Sequence, residues 1–166
     1  MTQVELKFEL SIGRALNKAL AENPEALETI EGLKILLLIK GKEYRRNNEP
    51  YHNFNEGAKL MNVRPMTVLN FFRLKHVISI ADLQKDFEQG KEVSKAQINE
   101  KYDDILVYTL IELAYSENEN EASFDAFRSF TKSIRANYSQ KENVGSLKYL
   151  SAYLPFYSKN DKLLGY

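Results

Sequence analysis

The stretch NPEALETIEGLKILLLIKGKEYRRNNEP, residues 23 to 50, decides how this chain is read. Asn23 can cap a helix, and Pro24 suits its first position, where a missing N–H costs nothing. Glu25, Glu28 and Glu31 then fall near the positive end of the helix dipole, and Lys40, Lys42, Arg45 and Arg46 near its negative end. The apolar run LKILLLIK, 33 to 40, is far shorter than the roughly 20 residues that span a bilayer, so it reads as a buried core helix. The helix should run to about Arg46, where Asn47-Asn48-Glu49-Pro50 breaks it.

Downstream, a short helix is expected over 54 to 61, with Asn53 as its cap. Pro65 opens a longer one, whose apolar positions Met66, Leu69, Phe72, Val77 and Ile80 carry it to Glu88 before Gly90 stops it. Ser94 and Gln97 form a capping box for the next, which buries Tyr102, Ile105, Leu106, Leu110 and Leu113. SENENEAS, 116 to 123, is an acidic connection, and Ser123 can cap a last helix carrying Phe124, Phe127, Ile134 and Tyr138. Upstream, VELKFEL at 4 to 10 alternates apolar and charged residues, the period of a half-buried strand. Val4, Phe8, Ile12, Leu16 and Leu20 also step by four, and Thr2 with Glu5 could cap a helix; the alternation favours the strand over 3 to 10. The expected fold is therefore all-α, a helical bundle of about four main helices with one short N-terminal strand. Residues 1–22 form an N-terminal extension, 23–116 the helical core, and 117–166 a C-terminal helix and aromatic tail packed on it.

Lysine plus arginine, 23, equals aspartate plus glutamate, 23, in a chain of 166 residues. Without net positive charge there is no global attraction for a nucleic-acid backbone, which makes nucleic acid the least favoured partner. Cysteine is absent, which excludes disulfides and thiolate metal sites and fits a reducing compartment. No signal peptide and no membrane span is visible, so a soluble, cytoplasmic protein is expected. Glycine-rich phosphate loops, HExxH and GxSxG are missing, which sets aside P-loop, zinc-protease and serine-hydrolase chemistry.

The residues left to carry chemistry fall into three groups. Glu100 and Asp104 stand one helical turn apart, close enough to share a divalent cation, although acids also favour a helix start for its dipole alone. Lys75 and His76 lie mid-helix in the apolar context FFRLKHVISI, where dipole complementation does not explain a lysine. His52, Asn53 and Phe54 follow the proline break; His52 could serve as an acid or base near neutrality, while Asn53 and Phe54 could equally be a cap and a core residue.

Tyr44, Asn53-Phe54, Ala58, Lys75 with His76 and Ser79, then Glu100, Asp104 and Tyr108 together resemble a group of small helical bacteriophage proteins. This group is similar to the nucleotide-modification-associated domain type and, more distantly, to MazG-like all-α NTP pyrophosphohydrolases. The resemblance covers roughly residues 31 to 115. It departs at Val107, where many relatives carry Asn or Gly before the final tyrosine. It implies a phage origin, with the host-cell cytoplasm as location, and a nucleotide site holding Mg²⁺. Glu100 and Asp104 would bind the metal, and His52 and Lys75 would act in catalysis. Tyr44, Arg45, Arg46, Asn53, Phe54, His76 and Tyr108 would contact the substrate. Whether the chain is an enzyme is left open. The alternative is a non-enzymatic phage protein that binds and modulates a host defence protein through KYLSAYLPFY, 148 to 157, because dense aromatics suit an interface. An exposed strand would also pair with a second copy of the chain, giving a homodimer.

Overall fold

A computed structural model describes residues 1–118, with the side chains of Lys42, Tyr44, Lys95, Glu117 and Asn118 left aside. The expected C-terminal helix, the aromatic tail and the interface placed on it lie outside the described residues. The rest is all-α. In chain order stand α1 (Gln3–Glu22), a short 3-10 turn (Pro24–Ala26), α2 (Leu27–Tyr44), α3 (His52–Met61), α4 (Pro65–Glu88) and α5 (Lys95–Asn118). No helix among the described residues is long and apolar enough to cross a membrane.

The expected strand at 3–10 is instead the first half of α1. Thr2 and Glu5 form the capping box, with the Glu5 N–H donating to Thr2 Oγ1 at 3.1 Å and the Thr2 N–H donating to Glu5 Oε2 at 3.3 Å. The four-residue step decided the outcome: Phe8, Ile12, Ala15, Leu16 and Ala19 bury one stripe, while Leu6 and Leu10 stay exposed on the opposite side. A strand would have put Leu6 and Leu10 on the same face as Phe8, and among the described residues it had no second strand to pair with. α1 is thus part of the core and packs along α5, rather than an extension beside it.

Asn23 does not cap α2. It ends α1, its N–H and its Nδ2 both donating to the Ala19 carbonyl at 2.9 and 3.2 Å. Buried at that corner, it satisfies a C-terminal carbonyl that would otherwise be orphaned. Pro24 then opens the 3-10 turn, and α2 begins three residues later than Pro24 would suggest.

The break after α2 is a tight reversal. Asn47 and Asn48 both have positive φ, 54° and 60°, and the Glu49 N–H donates to the Arg46 carbonyl at 3.0 Å, closing a bridge between Arg46 and Glu49. Positive φ at both central residues is the mark of a type I′ turn, and asparagine tolerates it better than any residue but glycine. Pro50 and Tyr51 then turn inward and are buried, and α3 starts at His52, earlier than expected.

α4 and α5 match their expected limits at the N-terminal ends. The Gln97 N–H donates to Ser94 Oγ at 3.1 Å, and the Ser94 N–H donates to Gln97 Oε1 at 3.0 Å. Gly90, at φ 77°, ends α4 while the Lys91 N–H returns to the Asp86 carbonyl at 2.9 Å. α5 is the central helix, packed by α4, α1 and α2. Every residue from Asp104 to Ile111 is buried, so α5 is enclosed on all sides there, and Val107 is simply core.

Candidate functional site

α4 presents Phe72, Lys75, His76 and Ser79 along one face, at the i, i+3, i+4, i+7 spacing of a single helical stripe. α5 sets Glu100, Asp104 and Tyr108 against that stripe at steps of four. The two rows meet in register. Phe54 of α3 contacts Phe72 edge-on, with centroids 6.1 Å apart, and Phe72 stacks on Tyr108 at 6.2 Å. Tyr108 stacks on His76 at 5.6 Å, and His76 Nδ1 lies 3.2 Å from Asp104 Oδ2. The other oxygen of Asp104 accepts from Lys40 Nζ, which α2 delivers from the far side.

This cluster is polar matter inside the bundle. The Asp104 and His76 side chains are almost fully buried, and Lys40 is largely so. An ionised carboxylate placed there needs a partner at close range, and Lys40 is that partner. Burial pushes the Lys40 ammonium below the usual lysine range; nearby Glu100 and Glu43 work against that, while Lys101 and Lys75 add to it. Burial also lowers His76, to about 4, and the charges of Lys40, Lys75 and Lys101 reinforce the shift. The Asp104 carboxylate would by itself favour an imidazolium, but Lys40 already neutralises it. Nδ1 moreover meets Asp104 obliquely, within charge contact but without an aligned hydrogen bond. His76 is therefore a neutral imidazole at pH 7, within the electrostatic reach of Lys40, Lys75 and Lys101 from three helices, with Glu100 acting against them.

Among the described residues, hollows lie beside the cluster on two sides. One, between Phe8, Lys40, Arg45 and Val107, holds only about 20 Å³, room for a single water. The other is an open groove of about 360 Å³ along the α4–α5 seam, lined by Ser79, Asp82, Leu83, Asp86, Gln97, Glu100 and Lys101. Only the groove reaches the size of a small-molecule site.

The sequence-selected residues divide accordingly. Phe54, His76, Asp104 and Tyr108 come together, with Lys75 exposed beside them and Glu100 at the groove. Arg45 does not join them. It turns to α1, lying 3.0 Å from Glu9, 3.7 Å from Glu5 and 4.9 Å above the Phe8 ring. Arg46 is exposed in the turn, and His52 and Asn53 are half-buried in the first turn of α3; the Glu56 carboxyl, lowered mainly by the hydrogen bond and charge of Lys59, takes a minor contribution from His52. The side chain of Tyr44 is not among those described.

Glu100 and Asp104 share a helix face but not a state: Glu100 is exposed and pairs with Lys101 at 3.1 Å, whereas Asp104 is committed to Lys40 and His76. Among the described residues no group of three or more histidine or acidic side chains could hold a metal ion. Lys40 and Phe72 are the contributors that motif reading passed over. Lys40 follows Leu33 by seven residues, the spacing of one helical face, so its inward position was legible beneath its role as a helix-end cation.

No family model matches this chain, and no curated protein or solved structure matches it either.

Proposed function

We propose that this protein binds a small phosphorylated ligand of the nucleotide class in the α4–α5 groove, in keeping with the phage-protein resemblance. What supports this is the convergence of Lys40, Lys75 and Lys101, from three different helices, on a neutral buried His76 beside a ligand-sized groove. A phosphate entering at the His76 end would meet Lys75 and Lys101, the two lysines not held by a buried acid. The ring of Phe72, 39% exposed and backed by Tyr108, offers a face on which a base can stack. From Phe72 to Ser79 is seven residues, about 10 Å along the helix, so the ring and the groove lie within reach of one extended ligand. The acids Asp82 and Asp86 line the far end and would disfavour bare phosphate there, whereas Glu100, 3.1 Å from Lys101, stands at the near end and would yield that lysine to the ligand.

Calorimetric titration and thermal shift with AMP, ATP, dTTP and inorganic pyrophosphate, each with and without Mg²⁺, test the reading. Saturable binding should weaken about 10- to 100-fold in Lys75→Ala/Lys101→Ala, the size of charge-assisted contacts worth about 1.5–3 kcal/mol. Both lysines lie at the surface of the cluster, so the variant keeps the fold. No response to any of these compounds, or equal affinity in wild type and variant, would remove the proposal.

A further inference from the structure

Among the described residues, α2 carries an exposed apolar face. Ile35, Leu38 and Ile39 are 60%, 68% and 55% exposed, although Thr29, Ile30 and Leu33 of the same helix are buried in the core. Their spacing of three and four is that of a seam between two helices, and it opposes the core-facing stripe. Gly32 stands on this outer face about one turn before Ile35, and a β-carbon built there would touch nothing within 4 Å, so the helix has a shallow notch open to the outside. Glu28 and Glu31 precede the apolar centre, and Lys42 occupies the matching position two heptads after Glu28.

We propose that this face packs antiparallel against the same face of a second copy of the chain, with Ile35 at the two-fold axis. The choice of partner follows from the symmetry of the pattern. An isologous contact requires residues equally spaced about its centre to suit one another. About Ile35, position 38 falls opposite 32, so the Leu38 side chain of one copy enters the Gly32 notch of its partner. Position 28 falls opposite 42, which sets glutamate against lysine twice. Position 39 falls opposite 31, where the methylenes of Glu31 can cover Ile39 while its carboxylate reaches water. A parallel pairing would set Glu28 against Glu28 and leave both notches empty. The opposite order of acid, apolar centre and base along one helix suits a copy of itself turned end for end.

Sedimentation velocity of the full chain should give about twice the 19.2 kDa chain mass. Leu38→Glu should give the monomer mass with its helical circular dichroism intact, because Leu38, 68% exposed, is outside the core formed by the described residues. Glu28→Lys should weaken the dimer, and Glu28→Lys/Lys42→Glu should restore it. Because the chain has no cysteine, Ile35→Cys provides a further probe: oxidation should link two copies at the axis, whereas Asn17→Cys, exposed on α1, should stay unlinked. Monomer mass in the wild type would overturn the proposal. So would a dimer that survives Leu38→Glu, which places the interface elsewhere. Loss of helical signal in Leu38→Glu would also overturn it, by showing that the face is covered within the chain itself.

Discussion

Lys40 and Asp104, 64 positions apart in sequence, form an ion pair in which the carboxylate is the more deeply buried partner, with 6% of its side chain exposed against 19% for the lysine. The pair joins α2 to α5 at the middle of the bundle. Its two halves are not equivalent, because a stranded lysine has some water within reach and a stranded aspartate has little. Lys40→Met should therefore destabilise the fold by about 3–5 kcal/mol, and Asp104→Ala by less, nearer 3 kcal/mol. Lys40→Met/Asp104→Leu should recover most of either loss, since replacing both charges by packed apolar groups is often neutral. Urea melts of the three variants check the order.

His76 should remain uncharged until the pH approaches 4, about where burial and Lys40, Lys75 and Lys101 hold it. In the unfolded chain it protonates near 6.5, so between those values the unfolded state binds more protons and stability falls as pH is lowered. The loss attributable to this one group is up to about 3 kcal/mol, at 1.4 kcal/mol per pKa unit, and is absent above pH 6.5. The chain has two histidines, so an NMR titration resolves them directly. His76→Gln should flatten the stability curve between pH 6.5 and 4. Lys40→Met should raise the His76 pKa, because it removes a repelling charge and frees the Asp104 carboxylate.

Arg73 of α4 reaches Glu112 of α5 at 2.6 Å and also donates to the Asn70 side chain. The Arg73 side chain is 2% exposed, among the most enclosed in the protein, so its charge depends on those partners. Glu112→Ala should cost about 3–5 kcal/mol by leaving a guanidinium without its counter-ion, more than a surface ion pair ever returns. Lys59 and Glu56, 2.6 Å apart but exposed, supply the contrast: Glu56→Ala should leave stability almost unchanged, because water and salt screen the pair. Thermal melts at one pH compare the two directly.

Gly57 is where α3 comes closest to α4. A β-carbon there would lie 2.9 Å from Val68 Cγ1, and valine cannot rotate away because its branched side chain has little freedom in a helix. Gly57→Ala gains about 1 kcal/mol of helix propensity but should still be net destabilising, by about 1–2 kcal/mol, from overpacking. Gly57→Ala/Val68→Ala relieves the clash and should show a smaller loss than the two single variants combined. Gly13→Ala in α1, where a β-carbon would touch nothing within 4 Å, is the control for propensity alone.

The sequence by itself determined the helices with strong local signals. α4 begins at its proline, α5 at its capping box, and the break after α2 falls at two asparagines, because caps and turns are settled by neighbours within four residues. It also placed His76, Asp104 and Tyr108 on facing stripes, since helical spacing is a local property. The tertiary structure alone decided three matters. Residues 3–10 had both a strand period and a helix period, and packing of the four-residue stripe against α5, with no second strand among the described residues, selected the helix. Lys40 rather than Lys75 became the counter-ion of Asp104, because which cation reaches a buried carboxylate depends on how three helices cross. Arg45, equally basic and equally near the turn, was drawn to Glu5 and Glu9 once α1 lay beside it. Charge pairing acts over a few ångströms of space whatever the separation in sequence, so it becomes legible only after the bundle has closed.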